Sequence, residues 1–182
     1  PKGVAKELGT KQGNSVHSAL FEYYTSEFYK QNNTFDLAVF KEMLAKQNLT
    51  PLEFEIWTHK FKEYEIYENE RLRAGFMVLE CEKEVQSEFC GVQIKGFIDR
   101  VDADANGDML ILDYKTGEAN VNSLQLAFYE ALYGGEVRSA YYALKNEPSL
   151  VSSKKSVEDL SGEIEKLKTI NKTKINFERK SG

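Results

Sequence analysis

The sequence has little cysteine and no long apolar run. Its two cysteines, Cys81 and Cys90, are too few for a zinc site or a disulfide framework, so we expect reduced thiols in a cytoplasmic protein. No stretch reaches the length of a membrane span and no signal peptide is visible, so we expect no membrane attachment. Positive charge is not in excess either, since 24 Lys and Arg against 29 Asp and Glu give a net charge of −5. This balance argues against a basic, free-standing DNA-binding protein.

Internal repeats and low-complexity tracts are also absent, and 182 residues are enough for one domain with a hydrophobic core. We expect a single domain over residues 1–182, with its core at about residues 13–145 and a C-terminal linker and helix at residues 146–182. Because the sequence starts at Pro1 without an initiator methionine, we expect it to be a fragment of a longer protein.

Apolar periodicity predicts a mixed α/β core in the order helix, strand, strand, strand, helix, strand, with an added helical layer before the first strand. A polar lead-in is expected at residues 1–12 and a frayed polar end at residues 171–182. Thr50, Pro51 and Glu53 are the N-terminal signature of a long helix. Helices are predicted at residues 13–31, 35–47, 51–73, 123–133 and 154–169, strands at 76–89, from the turn at Gly91 to residue 102, at 111–117 and at 137–144, and a linker at 147–153.

Two apolar segments of strand length in the middle of the chain carry charged residues. They lie at residues 96–102 and 111–117, are rich in β-branched residues, and are separated by a turn signal. Buried strands seldom contain charge without a reason. Asp99, Asp113 and Lys115 lie inside these two strands, which predicts a hairpin with a functional polar patch.

The register of this hairpin decides whether the two carboxylates meet. A two-residue turn would set Asp99 against Tyr114, and the carboxylates would diverge. A three-residue loop ending at Gly107 would instead set Asp99 opposite Asp113. We prefer the three-residue loop because such loops end in a left-handed residue, and glycine adopts that conformation readily.

Two converging carboxylates repel each other unless a cation joins them. Hard oxygen ligands favour Mg²⁺ or Mn²⁺. Lys115 shares a face with Asp113, where it can orient a water or neutralise a phosphoryl transition state. The alternative for an isolated D-x-K triplet is an ion pair on an exposed sheet face. The G-x-I-D-R-V-D segment in register makes the metal site the preferred interpretation.

Four ordered motifs carry a family resemblance: G-x-x-x-H at residues 13–17, G-F-I-D-R-V-D at 96–102, L-D-Y-K-T-G at 112–117 and Q-x-x-x-Y at 125–129. Together they resemble the PD-(D/E)XK nuclease superfamily, and within it the nuclease domains of RecB/AddAB-type helicase-nucleases. The D-x-K triplet alone is a weak signal, whereas the ordered set is specific. The similarity spans about residues 13–144, which is most of the chain.

The resemblance implies a restriction-endonuclease-like fold and a Mg²⁺-dependent deoxyribonuclease. The expected function is an exonuclease domain that hydrolyses phosphodiester bonds and leaves a 5′-phosphate, as part of a helicase-nuclease in double-strand-break repair and recombination. The expected partners are DNA and a helicase domain or subunit of a larger complex. Such a complex would supply the basic surface that this acidic chain lacks.

The resemblance also implies a set of metal ligands. Asp99 and Asp113 would bind the metal, with His17 and the backbone carbonyl of Tyr114 as its other protein ligands. His17 lies on the apolar face of the first predicted helix, where a lone histidine is usually a packed core residue. For His17 the resemblance favours the ligand role.

The same resemblance implies the catalytic roles. Lys115 would position the attacking water and help to deprotonate it. Gln125 would orient that lysine or a phosphate, and Tyr129 would contact the scissile strand; four residues apart, the two share one helix face. Their alternative role is an exposed polar edge. Glu84 is a weaker candidate for a supporting acid.

Some relatives of the AddB type carry four cysteines that hold an iron–sulfur cluster, one before the nuclease core and three after it. This sequence has no such set, so we expect no cluster in this fragment.

Three alternatives to a repair nuclease stay open from sequence. One is a CRISPR-associated adaptation nuclease of the same superfamily. The second is an inactive nuclease fold that serves as a DNA-binding scaffold, against which the complete Asp, Asp, Lys, Gln and Tyr set argues. The third is a metal-binding domain without nuclease activity, which would not require Lys115.

Overall fold

The computed structural model describes the backbone of residues 2–178 and the side chains of residues 13–170. Within that range the helices and strands are α1 (Lys2–Tyr24), α2 (Glu27–Asn32), α3 (Leu37–Ala45), α4 (Pro51–Arg73), β1 (Met77–Phe89), β2 (Val92–Ala103), β3 (Met109–Lys115), α5 (Gln125–Tyr133), β4 (Arg138–Ala143), β5 (Ser149–Val151) and α6 (Val157–Glu178). This is the predicted mixed α/β core with an added N-terminal helical layer, and it is consistent with a restriction-endonuclease-like fold. Among the described residues, no helix is long and apolar enough to cross a membrane.

Capping side chains mark where the helices of the N-terminal layer begin. Thr50 and Glu53 form the predicted capping box at the start of α4, with Pro51 in its first turn. Asp36 accepts hydrogen bonds from two backbone N–H groups in the first turn of α3. The helix predicted at residues 13–31 is two helices, because Ser26 caps α2 through the backbone N–H of residue 29 and so separates it from α1.

Both ends of the chain are more helical than predicted. The lead-in expected at residues 1–12 is helical from Lys2, since its Lys, Glu, Ala and Leu residues favour a helix whatever their polarity. The frayed end expected at residues 171–182 is helical as far as Glu178. The outermost residues of both ranges lie outside the described part of the chain.

The five strands form one mixed sheet in the order β1-β2-β3-β4-β5. Neighbouring strands are antiparallel except β3 and β4, which are parallel because α5 carries the chain back between them. The prediction of a linker at residues 147–153 missed β5, which pairs with β4 at the sheet edge. With three residues, β5 is too short to show a period in sequence.

Helices cover both faces of the sheet. On one face, a large apolar core joins α1–α4 to side chains that include Leu112 and Tyr142. On the other face, Val101 and Ile111 pack with residues of α5, and α6 packs against α5. Successive residues of β3 therefore divide between the two helical layers.

The hairpin between β2 and β3 has the predicted three-residue loop. The backbone N–H of Asp104 donates to the carbonyl of Asp108 at 3.0 Å, and Gly107 has a φ of +86°. The pairing runs from Ala103 opposite Met109 to Arg100 opposite Leu112 and ends there. In this register Asp99 lies across from Asp113.

β2, which contains Asp99, and the neighbouring strand β1 are both irregular near this residue. Ile98 and Val101 lie three residues apart yet pack in the same apolar cluster, so the alternation of β2 is interrupted between them. On β1, Glu82 lies across from Asp99 in the register and has a φ of +46°, which side chains rarely adopt. The sheet therefore departs from regular geometry next to the residues that the sequence singled out.

We predict that Gly107→Val lowers the free energy of unfolding by about 1 kcal/mol or more, because a β-branched residue is strained at positive φ. A Cβ at Gly107 would have no neighbour within 4 Å, so the loss would come from the backbone and not from a clash. Urea unfolding measures it. The control is Gly107→Asn, which tolerates this φ and should lose much less; equal losses in the two variants would contradict the backbone explanation.

Candidate active site

The candidate site lies where α1 crosses the end of β3. A Cβ at Gly13 would come within 3.0 Å of the Thr116 hydroxyl oxygen, so glycine allows α1 to pass close over the strand. His17 follows one turn later on α1 and reaches the backbone of Tyr114. This close crossing explains why a glycine stands four residues before the histidine.

His17, Asp99 and Tyr114 form one half of the site. Nε2 of His17 lies 3.1 Å from the carbonyl oxygen of Tyr114, and Nδ1 lies 3.7 Å from Oδ2 of Asp99. The same Asp99 oxygen accepts the backbone N–H of Tyr114 at 2.9 Å. A carbonyl can only accept, so Nε2 carries a hydrogen, and Nδ1 is the ring nitrogen that faces the carboxylate. His17 therefore connects the backbone of Tyr114 with the side chain of Asp99.

Asp113, Lys115, Gln125 and Tyr129 form the other half. The Lys115 ammonium lies 2.7 Å from Oδ2 of Asp113 and donates to the amide oxygen of Gln125 at 2.8 Å. The Gln125 amide nitrogen donates to Oδ1 of Asp113 at 3.1 Å and contacts the Tyr129 hydroxyl at 3.0 Å. Tyr129 also donates to Oδ1 of Asp113, at 3.3 Å. The side chain of Gln125 thus links the lysine to the acid.

The structure brings all seven predicted site residues together, but as two linked halves. Asp99 contacts His17 and Tyr114, whereas Asp113 contacts the lysine, the amide and the tyrosine of the second half. In the described part of the chain, no three His, Cys, Asp or Glu side chains form a preformed metal cluster. Whether these residues act as ligands and catalysts stays a prediction.

Burial changes the ionisation of two site residues. Burial and, to a lesser extent, the neighbouring Asp113 carboxylate raise the pKa of Asp99 to about 6, although the nearby His17 opposes this shift. Burial also raises the pKa of Tyr129, so its hydroxyl stays protonated and acts as a hydrogen-bond donor. A cation in the site would oppose the shift at Asp99.

Oδ2 of Asp113 is buried and makes no hydrogen bond, since Lys115 approaches it outside hydrogen-bonding geometry. With the Asp99 carboxylate, the imidazole of His17 and the carbonyl of Tyr114, it completes a donor set of oxygens and one imidazole nitrogen. Hard divalent cations favour such a set. The residues present therefore fit a Mg²⁺ or Mn²⁺ ion.

The weaker candidate Glu84 does not belong to the site. It forms an ion pair with Lys95 on the outer part of the β1–β2 hairpin. Cys81 and Cys90 are both free, and burial raises the pKa of the Cys81 thiol to about 11. Cys81 lies beside His17 in the small pocket that also contains Asp99.

Sequence reasoning missed a group of buried charges directly behind the site. Arg100 follows Asp99 in the chain and is fully buried, with Glu68 of α4 and Asp102 as ion-pair partners. The signal was present, because the G-F-I-D-R-V-D segment places an arginine and a second aspartate inside an apolar strand. No local pattern identified Glu68 as their partner.

The fold agrees with the comparison with known families. The model of the PD-(D/E)XK nuclease superfamily matches residues 2–178, and the chain belongs to that superfamily. The match covers the helical layer, the sheet and the whole of α6. No curated protein matches the sequence significantly.

We predict that Asp99→Asn removes a pH dependence of stability. The folded pKa of about 6 lies above the unfolded value, so the folded protein binds this proton more tightly. The parent should therefore lose roughly 3 kcal/mol from this group as the pH rises from about 4 to above 6, at about 1.4 kcal/mol per pKa unit. Urea unfolding in EDTA at several pH values measures the difference between parent and variant.

Asp104→Asn is the control with the opposite sign. Although desolvation acts against it, hydrogen bonds from the backbone of Asn106 and Asp108 hold the pKa of Asp104 below its ordinary value. Folding therefore favours the ionised Asp104 carboxylate. Asp104→Asn should lower the free energy of unfolding more at higher pH than at lower pH. If the stability curves of parent and Asp99→Asn stay parallel over this range, the ionisation assigned to Asp99 is wrong.

Proposed function

We propose that this chain is a divalent-metal-dependent deoxyribonuclease domain. The observation that carries the proposal is the buried Asp113–Lys115 pair, joined by Gln125 and flanked by Asp99. Membership of a nuclease superfamily supports phosphodiester hydrolysis as its activity. We propose that residues 1–182 act as one nuclease domain.

In this proposal the metal is Mg²⁺ or Mn²⁺, held by Asp99, Asp113, His17 and the carbonyl of Tyr114. The bound ion would polarise the scissile phosphate and lower the pKa of a bound water. The His17 ring contacts the Tyr114 carbonyl through Nε2, which leaves Nδ1, on the Asp99 side, as the ring nitrogen that would bind the ion. Oδ2 of Asp113, which is buried and has an ion pair with Lys115 but no hydrogen bond, supports the site.

Lys115 is the proposed group that holds and helps to deprotonate the attacking water. Its ammonium is held between Asp113 and Gln125, which limits it to one side of the acid. Attack on phosphorus in line with the leaving 3′ oxygen would give a 5′-phosphate. Gln125 orients the lysine. Tyr129 would contact the scissile strand, although its hydroxyl is held here by Asp113 and Gln125.

We further propose that the domain is the exonuclease of a RecB/AddAB-type helicase-nuclease in double-strand-break repair and recombination. The position of His17, 3.7 Å from Asp99, supports this assignment, because the G-x-x-x-H motif is one of the four motifs on which the resemblance rests. The net charge of −5 supports a partner that supplies the basic surface for DNA. A helicase domain or subunit would be that partner.

We predict that Lys115→Ala cuts turnover on linear DNA by roughly 10²-fold or more, as expected for a proton-transfer or charge-stabilising group. Binding of Mn²⁺ and of DNA should change little, because the carboxylates remain. Asp113→Ala should lose metal binding and cleavage together. Assays use labelled linear and circular DNA with Mg²⁺, Mn²⁺ or EDTA, and a titration of Mn²⁺.

Two control variants make this test specific. Lys95→Ala removes the same charge from the outer hairpin and should cleave like the parent. Lys115→Arg should not restore activity, because a planar guanidinium that stays charged cannot replace the ammonium. If the parent binds Mn²⁺ and DNA but shows no Lys115-dependent cleavage, the domain is a scaffold. Cleavage of closed circular DNA as fast as linear DNA would contradict the exonuclease assignment.

A further inference from the structure

Four buried charges lie behind the candidate site, between α4 and the sheet. Glu68 and Arg71 come from α4, and Arg100 and Asp102 from β2; each is at most 7% exposed. Arg100 donates to Asp102 at 2.6 and 2.8 Å and to Glu68 at 2.5 Å, while Arg71 donates to Glu68 at 3.0 Å and to Asp102 at 2.8 Å. Two positive and two negative groups thus form one neutral cluster.

Stability alone is a weak explanation for this cluster. Burying charges removes them from water, and their mutual attraction often only offsets that cost, so apolar side chains of similar volume can be as stable. Charged partners have strict directional demands that apolar partners lack. The cluster is therefore better suited to fixing positions than to adding stability.

The cluster contacts each of the three elements that supply His17, Asp99 and Tyr114. On α1, the ring of Tyr24 lies 4.3 Å from the Arg100 guanidinium carbon, and its hydroxyl donates to Glu68. On β2, Arg100 directly follows Asp99. On β3, Tyr114 itself is the contact, because Arg100 donates to its hydroxyl oxygen at 3.3 Å.

Tyr114 therefore has two functions in the fold. Its backbone faces the site, where the N–H binds Asp99 and the carbonyl binds His17. Its ring packs edge-on against the His17 ring, with the ring centres 5.7 Å apart, while its hydroxyl reaches Arg100, and the residue is 5% exposed. Backbone pairing between β2 and β3 has already ended at Arg100, so the β2–β3 ladder does not hold Tyr114 against Asp99, although Tyr114 still pairs with Tyr142 of β4. Past that point two side chains of β2 contact Tyr114: Asp99 accepts its backbone N–H, and Arg100 donates to its hydroxyl oxygen.

We propose that Arg100 and the Tyr114 hydroxyl are positioning groups for the candidate metal site. By holding the Tyr114 side chain from behind, Arg100 sets where the Tyr114 carbonyl and N–H lie relative to His17 and Asp99. The expected effect on metal binding rests on the proposed nuclease function. The contacts of Tyr114 with Arg100, Asp99 and His17 are present without metal or substrate.

The test compares Tyr114→Phe with Tyr142→Phe. Both variants keep the ring and remove one buried hydroxyl that contacts the cluster, since the Tyr142 hydroxyl donates to Glu68 at 2.8 Å. Tyr142 lies on β4 and carries none of the proposed ligands. Arg100 is a poor first variant, because its removal would leave two buried carboxylates to share Arg71 and would endanger folding.

The first readout is amide hydrogen exchange at residue 114, measured by NMR in EDTA and normalised to amides in the middle of β3. In Tyr114→Phe this amide should exchange roughly tenfold faster than in the parent, because its bond to Asp99 opens more often. In Tyr142→Phe it should stay within about twofold of the parent. Equal protection of residue 114 in both variants would overturn the proposal.

The second readout is Mn²⁺ affinity by titration calorimetry. Tyr114→Phe should weaken binding by about 10-fold or more, the usual loss when an outer-shell partner is removed, while Tyr142→Phe should bind like the parent. Equal weakening in both variants would mean that the cluster only stabilises the fold. If the parent itself binds no Mn²⁺, the proposed function fails, and the exchange data alone decide the positioning role.

Discussion

The ion pairs of Arg100 with Glu68 and Asp102 are the interaction on which the arrangement of the layers depends. None of these groups is exposed, so each would be strongly unfavourable if α4 and β2 separated in a compact state. Breaking such a pair by removing one partner costs roughly 3–5 kcal/mol. The helical layer and the sheet are therefore held in one register by charges rather than by apolar contact alone.

The candidate site needs both helical layers. α1 supplies His17 and closes the site over the backbone of Tyr114, while α5 supplies Gln125 and holds Lys115 against Asp113. These contacts lie on opposite sides of β3, because neighbouring residues of a strand point to opposite faces. A site of this kind forms only where the strand end is accessible from both sides, which is where β2 and β3 cease to pair.

Local rules predicted the elements that depend on neighbouring residues. The loop ending at Gly107 followed from turn chemistry, and the start of α4 followed from Thr50 and Glu53. The prediction of one helix over residues 13–31 was wrong, because Ser26 caps α2 and so ends the apolar pattern of α1 before it. The predictions also missed β5, whose pairing with β4 is a contact between strands and leaves no period in a three-residue segment.

The sequence by itself determined strands β1 to β4, the register of the β2–β3 hairpin and the residues that the superfamily motifs mark. These features repeat over a few residues or depend on one turn, so they are visible in the order of amino acids. Only the tertiary structure decided that the site has two halves and that Glu68 pairs with Arg100, 32 residues away. Such pairings depend on which helix packs on which strand, and burial then makes an otherwise unremarkable glutamate an obligatory partner.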